Sequence, residues 1–246
     1  MTASIRLAKR LAAQVSCSRS DAEHYISAGW VRVDGQVVLV AESRVGDSQK
    51  VELDAHATLK PAAPVTILLH QPAAHASDAA AEASGGDPAM EYLKSAARAS
   101  DDRSGIRVLK SHLPHLKSVA PLEKGASGLV VFTQDGRIAR KLTQDAGGIE
   151  REVIVEVEGE IAEHGLKRLN HGLEWNGKAL PPIKASWQNE RRLRFALKGE
   201  RPGQIVHMCT SVGLKVLGMK RIRIGRVPMA GLAPGQWRYL PDGGRF

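Results

Sequence analysis

The alternation of apolar and polar positions defines the elements before any motif is considered. Apolar side chains recur at Ile5, Ala8, Leu11 and Ala12, with Arg6, Lys9 and Arg10 on other faces, which predicts an amphipathic helix over residues 5–12 with one core face and one basic face. Ser18 stands three residues before Asp21, an arrangement that caps an open helix start, and Ala22, Tyr25 and Ile26 continue the apolar stripe until Gly29 ends it. The period then changes. "WVRVDGQVV" alternates around Asp34-Gly35, a dipeptide suited to the positive φ angles of a tight hairpin turn. Two short helices therefore lead into a hairpin, and "GDSQKVEL" adds a late strand.

Further along, "VTILLH" reads as a buried strand. Residues 73–88, "AAHASDAAAEASGGDP", are small and polar with too few large apolar groups to pack, so a flexible surface loop is predicted there. "GLVVF" is a strand, "RIARKLTQ" a helix, "REVIVEVEGEI" and "RLRFALKG" strands, and Asn176-Gly177 a second hairpin turn. "QIVHMCTSVG" is helical by Ile205, Met208, Cys209 and Val212, and "LKVLGMKRIRIGRV" returns to strand. Many strands with few helices predict an α+β fold: a small two-helix-plus-hairpin domain over residues 1–60, then a mainly antiparallel mixed sheet over residues 61–246.

Charge adds a partner class. The 246 residues carry a formal net charge of +9, and residues 187–246 hold 12 Lys/Arg against 3 Asp/Glu. A basic concentration of this kind is the footprint of a polyanion, nucleic acid above all, with a solvated surface as the plain alternative. In "MKRIRIGR", strict alternation would put Arg221 and Arg223 on one strand face, toward RNA or solvent, and Ile222 and Ile224 on the other. Cys17 and Cys209 read as buried thiols, and the His112/His115 pair has no nearby thiol or carboxylate, so no metal is expected. The apolar runs are too short to span a bilayer. The cationic, acid-free start would suit an organelle-targeting peptide, but its continuity with the capped second helix makes it structural, and a cytoplasmic monomer is expected.

Two resemblances sharpen this reading. "SRSDAEHYISAGWVRVDG" closely resembles the small RNA-binding module shared by a small-subunit ribosomal protein, tyrosyl-tRNA synthetases and many RNA-modifying enzymes, over roughly residues 5–52. The resemblance implies RNA-backbone contacts from Arg6, Lys9, Ser18, Arg19 and Arg32. Residues from about 64 to 240 resemble the catalytic domain of ribosomal RNA pseudouridine synthases of the RsuA-like branch. The motifs are "LEKGASGLVVFTQDG", "GQIVHMC" and "MKRIRIGRVPMAGLAPGQWRYL", in the family's order. The family breaks the uridine glycosidic bond, rotates the base and rejoins it through carbon, so no cofactor is implied, and the implied partner is structured RNA, ribosomal RNA first.

The resemblance also marks departures. Glu123 stands at the family's aspartate, Val153 at the tyrosine of K-x-Y, and Val206 at the arginine after Q-I. Pro121 replaces the arginine before the aspartate, and Gln71 the lysine of K-P-x-G. Glutamate displaces the carboxylate by a methylene, and a shift of about 1 Å can cost roughly 10²-fold in rate. Without a cation a desolvated carboxylate tends to take up a proton, and valine offers no ring for a base to stack on. The expectation is an RNA-binding protein with its isomerase chemistry lost or impaired. The alternative is an active rRNA pseudouridine synthase with Glu123 at the nucleophile position.

Overall fold

The computed structural model describes residues 4–60, 63–73, 88–93 and 97–246, so most of the loop predicted at 73–88 lies outside the described residues. The chain divides into two compact units. The first comprises Met1–Pro64 together with Ile106–Leu116, and the second Val65–Gly105 together with Lys117–Phe246. The opening segment of the first unit thus ends at Pro64, and a later segment belongs to it as well.

In the first unit, strand β1 (Ser4–Arg6) precedes helix α1 (Leu7–Val15), so the helix starts two residues later than its apolar spacing suggests. The cause is pairing: Ser4, Ile5 and Arg6 lie opposite Gly46, Val45 and Arg44 of β4 (Arg44–Gly46). Helix α2 (Arg19–Ser27) begins with a full capping box, in which the Ser18 hydroxyl accepts from Asp21 N–H at 3.0 Å and the Asp21 carboxylate accepts from Ser18 N–H. Strands β2 (Val31–Val33) and β3 (Gln36–Val37) form the predicted hairpin, with Asp34 and Gly35 at φ 50° and 80°, and β5 (Val51–Leu53) completes a three-stranded sheet. Leu7, Leu11, Ile26 and Val31 make the core. Cys17 packs at its edge, half-buried. Ile106–Leu116 contributes at Gly29, where an added Cβ would lie 2.8 Å from Leu109 Cδ2. Arg107 donates to the Gly29 carbonyl and lies over the Trp30 ring, 5.8 Å from its centroid.

The second unit is built on a nine-stranded sheet. Its main path runs β12 (Lys184–Asn189), β13 (Arg192–Lys198), β9 (Glu150–Glu158), β14 (Lys215–Ile224), β8 (Ser127–Thr133), β6 (Thr66–Gln71) and β16 (Trp237–Tyr239). Strand β7 (Lys117–Ser118) pairs with β8, and β15 (Val227–Pro228) with β14. Along this path β14 and β8 pair in parallel and the other neighbours are antiparallel, which is the mixed, mainly antiparallel α+β arrangement expected. Strands β10 (Glu174–Trp175) and β11 (Lys178–Ala179) flank Asn176-Gly177 in a separate hairpin.

Two core clusters lie on this sheet. One gathers Val153, Val155, Val157, Leu193 and Phe195 with Leu169 of α4 (Gly165–Asn170) and Ile205, Met208 and Cys209 of α5 (Gln204–Thr210). Burial pushes the Cys209 thiol up to about 12, which keeps it a protonated apolar group. The other joins Leu68, Leu129, Val131, Ile224 and Phe246 with Leu142 of α3 (Gly136–Thr143), a helix that Asp135 caps through Arg137 N–H. No helix among the described residues is long and apolar enough to cross a membrane.

Candidate functional site

Between the loop before β8 and the faces of β9 and β14 lies a cavity of about 710 Å³, lined by Pro121, Glu123, Arg151, Val153, Glu200 and Arg221, among others. Each element delivers its residue for a local reason. Arg151 and Val153 stand two apart on β9 and share a face. Glu123 sits in a turn closed by Ala126 N–H donating to its carbonyl at 3.0 Å. Glu200 lies between β13 and α5. Arg221 comes from β14, at the point where β14 meets β8 so closely that a Cβ on Gly128 would fall 2.2 Å from the Arg221 carbonyl oxygen. Glycine is required there, at φ 115°.

Arg221 clamps the loop. Its Nε donates to Leu129 O at 2.9 Å and Nη1 to Pro121 O at 3.1 Å, while Nη2 donates to Ala120 O and to Leu129 O. Burial pulls its pKa down to about 10, helped by repulsion from Arg151, yet that leaves it charged at neutral pH. Glu200 moves the other way: burial pushes its carboxyl above the ordinary range, against the attraction of Arg151, 3.7 Å away, and of Arg221. Glu123 accepts from the backbone N–H of Gly203 through Oε2 at 2.9 Å. Its Oε1 is buried and has no hydrogen-bond partner among the described residues.

No protein-family model matches the chain. Whole-length relatives exist nonetheless. An uncharacterised RNA pseudouridine synthase of Aquifex aeolicus (strain VF5) is 28% identical over 241 residues, covering 97% of this chain and 93% of the relative. The dual-specificity RNA pseudouridine synthase RluF of Escherichia coli (strain K12) is 25% identical over 240 residues, covering 97% and 76%. Ribosomal large subunit pseudouridine synthase B of Salmonella typhi is 28% identical over 254 residues, covering 96% and 79%. A crystal structure of a pseudouridylate synthase shares the fold, with a TM-score of 0.57 at 19% identity over 97% of this chain and 96% of that one. These similarities support an RsuA-like pseudouridine synthase family for the chain.

Of the five departures from the RsuA-like pattern, Pro121, Glu123 and Val153 line this one cavity. Val206 is not among its lining residues; it is 40% exposed on α5. Gln71 ends β6 opposite Gly128. The outward placement expected of Arg221 and Arg223 is overturned. They do not share a face: β14 carries an extra residue, Ile222, between Arg221, opposite Val153, and Arg223, opposite Glu152. Such a bulge resets the alternation, so Arg221 takes the buried face of Val153 and Arg223 the face of Glu152. Arg221 is 5% exposed and spent on carbonyls. Arg223 is paired with Glu150 and Glu152, the latter at 2.6 Å. Neither faces RNA.

The same ladder accounts for much of the C-terminal charge. Arg192 pairs with Glu156, Arg194 with Glu152 and Lys215 with Glu158, all across the neighbours of β9. In the first unit Arg6, Lys9, Arg19 and Arg32 are exposed, Arg19 pairing with Glu23 at 3.0 Å, while the Ser18 hydroxyl is engaged in its cap. Arg151 and Glu200 escaped the sequence reading. Arg151 had a signal, the two-residue spacing to Val153, whereas Glu200 sits in a loop with no periodicity to place it.

Proposed function

We propose that this family member binds structured RNA, ribosomal RNA first, in the cytoplasm, and that its uridine-isomerising chemistry is impaired or lost. The N-terminal unit offers Arg6, Lys9, Arg19 and Arg32 on its surface as backbone contacts. What carries the loss of chemistry is the carboxylate itself. One Glu123 oxygen is held by Gly203 N–H, and the other, which has no partner among the described residues, is buried, so as placed it is not presented to a substrate atom. Val153 lines the same cavity and can offer a flipped base apolar contact but no aromatic stacking.

The alternative is an active synthase using Glu123. It is favoured by one observation, that the cavity still combines a carboxylate with the cation of Arg151. Measuring pseudouridine in total ribosomal RNA from a deletion strain and its parent separates the two readings. Equal levels are expected. Pseudouridine formed by the wild-type protein and lost in Glu123→Gln would instead make Glu123 a working nucleophile.

A further inference from the structure

A second cavity, of about 580 Å³, lies away from Glu123 and shares no lining residue with the first. Its size falls within the range of about 300–1,000 Å³ usual for ligand sites. Leu68, Val227, Tyr239 and Leu240, all buried, supply apolar wall. Four arginines line it as well: Arg103, Arg226, Arg238 and Arg245. Two carboxylates share the lining. Asp102 is neutralised and fully used, accepting from Arg98 Nε at 2.8 Å, Ser104 N–H at 2.9 Å and Tyr239 N–H at 3.1 Å. Asp101 is exposed.

Three other arginines at this end of the chain are paired. Arg192, Arg194 and Arg223 each have a glutamate of β9. Arg238 spends its guanidinium on the carbonyls of Ala230 and Pro228, at 2.6 and 3.1 Å. Arg103, Arg226 and Arg245 have no carboxylate within ion-pair distance among the described residues. Cations that line one concavity together raise the positive potential inside it, which favours a bound anion.

We propose that this cavity takes one nucleotide of an RNA chain, its base against the Leu68–Tyr239–Leu240 wall and its phosphate between Arg226 and Arg245. An inorganic anion would need the cations but not the apolar wall, and an apolar ligand the reverse; a nucleotide uses both. The inference rests on the RNA-binding half of the proposed function and extends it to a place outside the family's catalytic cavity.

The test uses the full chain and measures binding of oligouridylate and of a structured ribosomal RNA fragment across a series of potassium chloride concentrations. Arg226 and Arg245 are exposed, so the double variant Arg226→Ala/Arg245→Ala should fold. It is expected to bind both RNAs about tenfold more weakly, with a log–log salt slope shallower by about 0.7 for each single-strand phosphate that is no longer neutralised. Arg191→Ala/Lys198→Ala removes the same charge from another exposed place and should have a clearly smaller effect. Equal weakening in the two double variants, or wild-type affinity in the first, would overturn the site while leaving RNA binding itself standing. A wild-type protein that bound neither RNA would sink the functional reading as well. Uridine 5′-monophosphate is the last arm: binding as tight as that of oligouridylate, abolished in Arg226→Ala/Arg245→Ala, would mark a free-nucleotide site and refute the RNA assignment.

Discussion

Removing the Arg221 side chain would leave the carbonyls of Ala120, Pro121 and Leu129 without their donor and open a void beside the Glu123 loop. Unpaired buried carbonyls cost about 1–3 kcal/mol each, so Arg221→Ala should destabilise the second unit by about 3 kcal/mol or more, read as a lower urea midpoint. Arg221→Lys should recover little of this, because an ammonium cannot reproduce the planar fork that meets three carbonyls together. Glu123→Gln, by contrast, should leave RNA affinity and pseudouridine levels unchanged if the chemistry is lost. Glu200 predicts a pH effect. Its carboxyl is raised above the ordinary value of 4.5, mainly by burial, so the folded state binds that proton more tightly than the unfolded one. The associated stability is present in acid and fades as pH climbs through the raised value. Glu200→Gln should therefore gain on the wild type as pH rises from about 4 to 8, measured by urea unfolding at each pH.

Strand β9 reverses that sign. Glu152 is held below its ordinary range by the hydrogen bond from Arg223, with Arg194 adding to it, so its contribution is present above about 4.5 and lost as pH falls through the lower folded value. Glu152→Gln should flatten the acid limb of the stability profile of the full chain. It should also leave Arg194 without the ion pair that β9 supplies. At this scale the sequence was legible where the determining chemistry is local. The Ser18/Asp21 cap and the two hairpin turns at Asp34-Gly35 and Asn176-Gly177 depend on neighbours within a few positions, and each stands as expected. Features set by distant partners were not legible. Ser4–Arg6 became a strand because Arg44–Gly46 pairs with it, and the bulge at Ile222 exists only in relation to β9. An alternation template contains no extra residue, so it placed Arg221 and Arg223 together.

Taken over the whole chain, the basic excess of residues 187–246 is real in sequence and much reduced in space, because Glu150, Glu152, Glu156 and Glu158 of β9 lie against it. Pro121, Glu123 and Val153 could be placed in one cavity from motif spacing, whereas Arg151 and Glu200 required the fold that assembles them. The division into units could not be read from linker composition either, since Ile106–Leu116 joins the first unit across more than forty residues of the second. Leu109→Ala should destabilise that first unit by about 2–3 kcal/mol, detectable as an earlier loss of protection in its amides. A fragment of residues 1–60 should give a poorly dispersed spectrum that improves once residues 106–116 are fused to it. There is a consequence for biosynthesis. A ribosome extends a chain at about 5–20 residues per second, so after Pro64 has been made roughly 3–10 s pass before Leu116 follows. For that interval the nascent first unit lacks the contacts that Leu109 and Arg107 make at Gly29 and Trp30, so it should reach its full protection only after Leu116 has been added.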